Sequence, residues 1–519
     1  MNNPGSRVDR LFRSLEDCSG QTALEFEGRA LTFGDLDLLS RRYARGLSAA
    51  GIQAGDRIAV FADNSPEIVV ALLGHYRLGA IHVPINTRYR GEELAHILQD
   101  SGARAILLHA GAATTDVLDE PGVRPPSLSS RIWIGGRDSS TSPPDLFYDE
   151  LVQTDVPHAQ RDSLPVPSDE DTAFLLYTSG TTGKSKGVEH SFRAVVNNTL
   201  SMTDLWRFDP SDRLALSLPL FHVHGLCLGV HGALLHGMTT LLSERFDARA
   251  IIRAFAADGA TVFQGVPTMY VRLLEGAAES SQNARALARG RLFTAGSAAL
   301  PADDFARFEE LTGHRILERY GMSETLFTLS NTYEDRRPGT VGFPAPGCEA
   351  RLVEDSGREA APGEAGELYV RSNGIMTRYW RRPEETAASF RGDWFVTGDM
   401  ARRDSDGRFT IAGRKSVDFI KSWGFKISAR EVEDVLRRHP RVKEVAVVGA
   451  PDRVWGERIV AAIVLNPDAG APPAADALLA ELATFCSRSL ADYKRPRELR
   501  VLAELPRNAL GKIQKHRIV

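Results

Sequence analysis

Residues 175–190 read LLYTSGTTGKSKGVEH, an apolar, β-like run that gives way to glycine, hydroxyl side chains and lysine. Gly180 and Gly183 let the backbone bend until successive N–H groups face one concavity, and Thr178, Ser179, Thr181 and Thr182 set hydroxyl donors around it. Such a cradle suits a phosphate chain. Lys184 and Lys186 add the positive charge that a polyphosphate requires. Small polar residues also make an ordinary solvated loop, and short motifs carry false positives. One rival is removed by spacing: a Walker A loop needs a glycine five places before its Gly-Lys pair, where this chain has Thr178.

A chain of 519 residues exceeds one ordinary core, so two or more domains are expected. The net charge of -4 is spread along the chain and offers neither a basic face for nucleic acid nor a polybasic membrane anchor. A small-molecule partner is the reading that remains. Cys18, Cys227, Cys348 and Cys486 lie far apart with no C-x-x-C pair, which argues against a disulfide framework and a structural zinc site, and fits a reducing cytoplasm. The start, MNNPGSRVDRLFRSL, lacks an apolar signal core, and the most hydrophobic stretch, 68–85, is broken by His75 and Arg77. No membrane span is expected.

Short β-branched runs recur between helical patterns: RIAVFA from Arg57, ARAILLH from Ala103, TAFLLYT from Thr172, ATVFQGVP from Ala260 and RLFTAGS from Arg291. This alternation argues for α/β layers. Ser65-Pro66 reads as an N-cap and first-turn proline opening a helix. Residues 114–167, rich in Pro, Ser and Asp, read as a surface loop. After FTIAGRKSVDFIKSWGFKIS the pattern changes: Ser428 and Glu431 form a capping box before VEDVLRRHP, and strands follow at EVAVVGA and IVAAIVL. Residues 414–519 read as a separate small α+β domain.

Three further stretches carry chemistry. LPLFHVHG places His222 and His224 at alternating positions past a strand-like run; no third ligand recurs at metal spacing, so pocket lining is the better reading. TAGSAALP ends a strand with Gly296 and Ser297, and LERYGMSET gathers Tyr320, Gly321, Ser323 and Glu324. FVTGDMARRDSDGRF isolates Asp399 after a Thr-Gly turn, where a carboxylate can accept both hydroxyls of a ribose.

Taken together, the chain resembles the adenylate-forming superfamily of acyl-CoA synthetases, carrier-loading adenylation domains and firefly-type luciferases. The resemblance runs from LTFGDLDLLSRRYARGL to GKIQK, with YTSGTTGKSKG, ERYGMSET, TGD, Gly413-Arg414 and PRNALGKIQK in family order. It implies a large multi-layer α/β N-terminal domain, 1–413, of sheets flanked by helices, and a small mobile α+β domain, 414–519. ATP and CoA are the implied co-substrates, with Mg²⁺. Thr178, Ser179, Gly180, Thr181, Thr182, Gly183 and Lys184 are assigned to the β- and γ-phosphates, and Ser297, Arg319, Tyr320 and Gly321 to the adenine pocket. Ser323 falls to the α-phosphate region, Glu324 and Thr181 to Mg²⁺, Asp399 to the ribose hydroxyls, Arg414 to the hinge, and Lys512 to the carboxylate and α-phosphate. Attack of a carboxylate on a phosphate brings two anions together; it requires cationic neutralisation, which Lys512 and Mg²⁺ supply, and no general base.

The resemblance also implies a rotation of the small domain that withdraws Lys512 and brings Lys421, Trp423, Gly424 and Lys426 toward the pantetheine channel. The hinge GRKSVDFIKSWGFKIS is one residue longer than the frequent GRxKDxI form and is similar to that of several malonyl-CoA synthetases; Trp423 stands where glycine is usual. LPLFHVHGL, GVPTMYVRLL, GSAALP and ERYGMSETLFTLSN are most similar to malonyl-CoA synthetases. In that reading malonate, ATP and CoA give malonyl-CoA, AMP and diphosphate through malonyl adenylate, with Arg272 pairing the distal carboxylate in a partly desolvated pocket and His222 assisting or packing. A ligase for another short, medium or fatty acid, a stand-alone enzyme loading a carrier protein, and a non-catalytic nucleotide binder are the alternatives. The oligomeric state stays open.

Overall fold

The run that leads into the glycine-rich loop is a strand, Thr172–Thr178, paired antiparallel with Lys186–Ser191 so that Thr178 faces Lys186. The computed structural model describes residues 6–89, 91–110, 118, 122–135, 145–154, 164, 167–178, 185–415, 419–422, 425–452, 456–470, 473–487, 490, 494–508 and 511–518. Two compact units divide the chain: Met1–Glu349 with Arg371–Phe390, and Ala350–Val370 with Arg391–Val519.

In the first unit the hairpin joins an eight-stranded sheet in the order Arg378–Tyr379, Lys186–Ser191, Thr172–Thr178, Ile81–Pro84, Arg57–Phe61, Ala105–His109, Ser130–Ile134, Asp145–Phe147. The strands from Thr172–Thr178 to Asp145–Phe147 are parallel. Parallel strands are covered on both faces and so read as continuous apolar runs, which is why Ile58, Ala59, Val60 and Phe61 are all buried. The helix Pro66–Leu78 starts on its proline and stops at Gly79 in the left-handed conformation, φ 71°. The Ser65 hydroxyl makes no cap bond, contrary to expectation. This helix is packed so closely that a methyl on Gly74 would lie 2.6 Å from the Tyr43 ring.

Residues 114–167 are not all loop. Ser130–Ile134 and Asp145–Phe147 extend the sheet, locked by Arg131, whose Nε and Nη2 donate to the Asp145 carboxylate at 2.8 and 3.2 Å. Flanking Pro, Ser and Asp dilute this short apolar run in the sequence.

The second sheet has nine strands, in the order Phe343–Pro344, Leu326–Ser330, Leu317–Met322, Leu292–Ala295, Val262–Gly265, Arg213–Leu216, Thr239–Leu242, Thr22–Phe26, Arg29–Thr32. Its central strands are parallel, and alternate residues feed two different cores: Leu214, Val262, Leu292 and Leu317 on one face, Ala215, Phe263 and Phe293 on the other.

Cys348–Val353, Ala365–Ser372, Trp394–Arg403, Phe390–Arg391 and Phe409–Arg414 form a five-stranded sheet, most of whose residues belong to the second unit. The boundary expected after Gly413 therefore falls inside a strand of this unit rather than at its edge. A further sheet carries Phe425–Ser428, Phe419–Ser422, Gly456–Leu465, Val442–Asp452 and Glu498–Val501. The capping box is half formed: Ser428 accepts from the Glu431 N–H at 3.4 Å, but the Glu431 carboxylate turns to Lys494, 2.6 Å away. An ammonium partner outcompetes a single backbone N–H. Among the described residues no helix is long and apolar enough to cross a membrane.

Candidate active site

Ser179, Gly180, Thr181, Thr182, Gly183 and Lys184 lie outside the described residues. The ends of their hairpin are described. Lys186, expected to serve the phosphates, forms an ion pair with Glu385 and stands 5.0 Å over the Tyr379 ring. Tyr379 belongs to the strand beside the hairpin, opposite Val188, and its hydroxyl donates to Glu324 Oε1 at 3.1 Å. The Met376 N–H donates to the Glu324 carbonyl at 2.7 Å. The strand order thus brings the foot of the glycine-rich loop and the YGMSET turn together. Tyr379 is the residue that sequence reasoning missed; it sits in TRYW with nothing around it that marks chemistry.

Glu324 is a buried, hard oxygen donor, and among the described residues no group of three His, Cys, Asp or Glu could hold a metal. That donor set suits Mg²⁺, which binds through one or two carboxylates and completes its shell with substrate phosphates and water.

The turn around Glu324 is fixed by backbone demands. Gly321 packs on the returning strand so tightly that a Cβ would lie 2.1 Å from the Leu326 carbonyl oxygen. The Ser323 carbonyl accepts a 2.6 Å bond from His190 Nε2, and burial holds His190 down at about 4, so its ring is neutral. Ser297 follows its strand in the left-handed conformation, φ 67°, a strain seen chiefly at functional sites. Arg319 and Tyr320, expected to wall one adenine pocket, are adjacent residues of the strand Leu317–Met322, so their side chains leave on opposite faces. They do not share one wall.

His222 and His224 are not on a strand: His222 lies in a turn, where its Nδ1 accepts the His224 N–H at 3.3 Å, and His224 opens a π-helix, His224–His231. Extended alternation and this turn place the same residue types two apart, so the sequence does not separate them. Arg272 differs from expectation more sharply. It is exposed on the helix Pro267–Ala278, whose buried face carries Tyr270, Leu273 and Leu274, so the desolvation argued for it is absent.

In the second unit Asp399 is buried on the strand Trp394–Arg403, with its N–H donated to Thr397 Oγ1 at 3.0 Å. Arg414, its partner across the strand pair, reaches Asp399 Oδ1 with Nε at 2.9 Å and the Thr397 carbonyl with Nη1 at 3.1 Å. Lys512 is exposed on a loop closed by Asn508: the Lys512 N–H donates to Asn508 Oδ1 at 2.9 Å and the Asn508 N–H to the Lys512 carbonyl at 2.8 Å. Lys515 pairs with Glu433 at 2.7 Å, a structural use. Lys421 and Lys426 are register partners on neighbouring strands, and Trp423 and Gly424 lie outside the described residues.

Residues 11–380 match the AMP-binding enzyme family and residues 431–512 the AMP-binding enzyme C-terminal domain. The chain is 32% identical to a malonate–CoA ligase of Arabidopsis thaliana, over 97% of this chain and 86% of the relative. It is 34% identical to a sulfoacetate–CoA ligase of Cupriavidus necator (95% and 92%) and 33% identical to a long-chain-fatty-acid–CoA ligase of Bacillus subtilis (96% and 91%). The crystal structure of ATP-bound MatB from Rhodopseudomonas palustris superposes with a TM-score of 0.88 at 32% identity, covering 99% of this chain and 98% of that one.

Proposed function

The chain belongs to the AMP-binding enzyme family and is an ATP-dependent, AMP-forming acid–CoA ligase, and on that premise we propose that its acid is malonate. The reaction would convert malonate, ATP and CoA into malonyl-CoA, AMP and diphosphate through malonyl adenylate.

The observation that carries the adenylation half of this reading is the Lys186, Tyr379 and Glu324 cluster at the foot of the glycine-rich hairpin. In the proposed assignment Thr178 and the loop 179–184 bind the outer phosphates, and Tyr320 and Gly321 with Ser297 border the adenine. Asp399, braced by Arg414, takes the ribose hydroxyls. Glu324 and Thr181 would hold Mg²⁺, which when bound neutralises phosphate charge. Lys512 would neutralise the negative charge that grows on the α-phosphate as the carboxylate attacks. Residues 414–519 are proposed as the functional domain that carries Lys512, and Lys421 to Lys426 as the face for the pantetheine arm.

Malonate is favoured by the near full-length likeness to a malonate–CoA ligase, and the sulfoacetate and long-chain relatives define the competing outcomes. Arg272 and His222 are proposed to meet the acid, with Arg272 acting through solvent, where an ion pair contributes roughly 0–1 kcal/mol. CoA-dependent AMP formation with acetate, malonate, methylmalonate, succinate and octanoate tests the reading. The highest kcat/KM is expected for malonate; a preference for octanoate overturns malonate and leaves the ligase activity standing.

A further inference from the structure

The strand Leu326–Ser330 follows the turn that carries Glu324, and its first residues break the regular ladder. Leu326 is buried in the left-handed conformation, φ 53°, a strained state for a bulky side chain. Pairing with Leu317–Met322 slips beside it: Gly321 faces Phe327 but Tyr320 faces Leu329, so Thr328 is the extra residue of a bulge. On its other edge the strand pairs with Phe343–Pro344 at Leu329 and Ser330, which leaves Phe327 beyond the end of that two-residue strand.

A side chain supplies what the sheet does not. Asn198, fully buried on the helix Phe192–Leu205, accepts the Phe327 N–H at 3.0 Å with Oδ1 and donates from Nδ2 to the Phe327 carbonyl at 2.8 Å. One amide thus imitates a neighbouring strand. Its Nδ2 also donates to Asn373 Oδ1 at 3.3 Å, and Asn373 is held in turn by Nδ2 on Ser201 Oγ and by its N–H on the Gly347 carbonyl, both at 3.1 Å. The backbone closes around the two amides: a Cβ on Gly374 would lie 2.6 Å from Asn198 Cγ, and one on Gly347 would lie 2.5 Å from Asn373 Nδ2.

Both arms lead to Glu324. Phe327 stands three residues beyond it, and Asn373 opens the segment whose Met376 N–H donates to the Glu324 carbonyl and whose Tyr379 hydroxyl donates to its carboxylate. A second buried asparagine clasps the far end of the same strand: Asn331 Nδ2 donates to the Glu318 and Thr340 carbonyls at 3.0 and 2.7 Å. The strand is therefore tied at both ends, and only the Asn198 tie joins the strained turn to the Tyr379 segment. We propose that Asn198 is a positioning residue for adenylation: it holds these two backbone segments in one relative placement and so sets where the Glu324 carboxylate stands. This rests on the reading of Glu324 as the Mg²⁺ carboxylate.

Asn198→Leu keeps the branching of the side chain and removes the three hydrogen bonds, and Asn331→Leu makes the same change at the far end. Pyrophosphate release by the full-length enzyme is measured across a Mg²⁺ series with malonate, or with whichever acid wild type prefers. Asn198→Leu is expected to raise the Mg²⁺ concentration for half-maximal rate and to lower kcat by about tenfold to a hundredfold, the scale on which a misplacement of about 1 Å acts. KM for the acid should stay within about twofold. Asn331→Leu should lower Tm comparably and keep the wild-type Mg²⁺ dependence. Two ties acting through one carboxylate are not additive, so Tyr379→Phe should cost less on the Asn198→Leu background than alone. Binding is read beside rate: the Tm rise given by ATP with Mg²⁺, relative to ATP in EDTA, should shrink in Asn198→Leu and persist in Asn331→Leu. If Asn198→Leu lowers Tm but keeps the wild-type Mg²⁺ dependence and metal-linked Tm rise, Asn198 is a strand tie and the proposal is overturned; full additivity with Tyr379→Phe overturns it equally. Glu324→Gln tests the underlying reading by itself. If it changes the Mg²⁺ dependence and Asn198→Leu does not, only the positioning role fails; if it changes nothing, the metal reading fails and the proposal with it. Should Asn198→Leu not fold, Asn373→Ala cuts only the arm to the Tyr379 segment: a smaller rise in Mg²⁺ requirement is expected, and wild-type behaviour overturns the proposal.

Discussion

Tyr379 ties Glu324 to the hairpin strand through one hydroxyl, and that bond can be removed without changing the volume of the ring. Its acceptor is a carboxylate, so the bond is worth about 1.5–3 kcal/mol, the range for hydrogen bonds to charged groups. Tyr379→Phe therefore removes one anchor of the Glu324 carboxylate while keeping the volume of the ring. The expected outcome is adenylation slowed by about tenfold to a hundredfold, with the Mg²⁺ concentration for half-maximal rate raised and KM for the acid unchanged. Pyrophosphate release measured across a Mg²⁺ series checks it. An unchanged Mg²⁺ dependence would show that Tyr379 only packs. At this scale the sequence is uneven. Asp399 and Glu324 stand out in the sequence because each lies in a stretch, VTGD and YGMSET, that carries the resemblance. Tyr379 does not, because its role arises from strand pairing between residues nearly two hundred positions apart in the chain. Arg319 reads from sequence as one wall with Tyr320, and only the strand geometry separates their faces.

Elements show the same division. The strands Arg57–Phe61, Ala105–His109 and Thr172–Thr178 are written as continuous β-branched and apolar runs, since both of their faces are covered. Ser130–Ile134 is equally buried, but its polar flanks hide it, and the π-helix has no periodicity to announce it. The loop that carries Lys512 is legible as a polar turn, and the structure adds what shapes it: Gly511 at φ 77°, the Asn508 clasp, and Arg507 donating to the Gly511 carbonyl at 2.7 Å. A lysine so presented can act as a single preorganised charge. On the proposed assignment Lys512→Ala should slow adenylation by orders of magnitude, since such a charge contributes about 3 kcal/mol or more at the transition state. It should leave thioester formation from supplied acyl adenylate and CoA near the wild-type rate. Equal losses in the two half-reactions would refute this division of labour.

At the scale of the molecule, the first unit carries an acid sensitivity that its catalytic groups do not explain. His75 and His82 are buried with their Nδ1 atoms 3.0 Å apart, an arrangement in which one ring donates and the other accepts, and burial lowers the pKa of each so that both are neutral. His231 donates from Nδ1 to the Leu226 carbonyl at 2.9 Å and accepts the Tyr76 hydroxyl at Nε2, 3.1 Å away, which again requires the neutral ring. Burial lowers His75 to about 3, and His190 and His231 to about 4, from an ordinary value of 6.5. The unfolded chain thus takes up protons that the folded unit refuses. Stabilisation from the neutral rings is complete above about pH 6.5 and is lost as pH falls toward the folded-state values, by about 1.4 kcal/mol per pH unit for each ring. Unfolding free energy is expected to be level from pH 8 to 7 and to decline steeply from pH 6 to 4.5, with about four protons bound on unfolding near pH 5 from His75, His82, His190 and His231. Denaturant titrations across that range measure the slope. His231→Gln supplies an amide that can donate to Leu226 and accept from Tyr76 without titrating, so it should remove about one proton from the slope. A wild-type stability that is level from pH 7 to 5, or a variant slope equal to that of wild type, would show that the protein relaxes around charged histidines instead of excluding them.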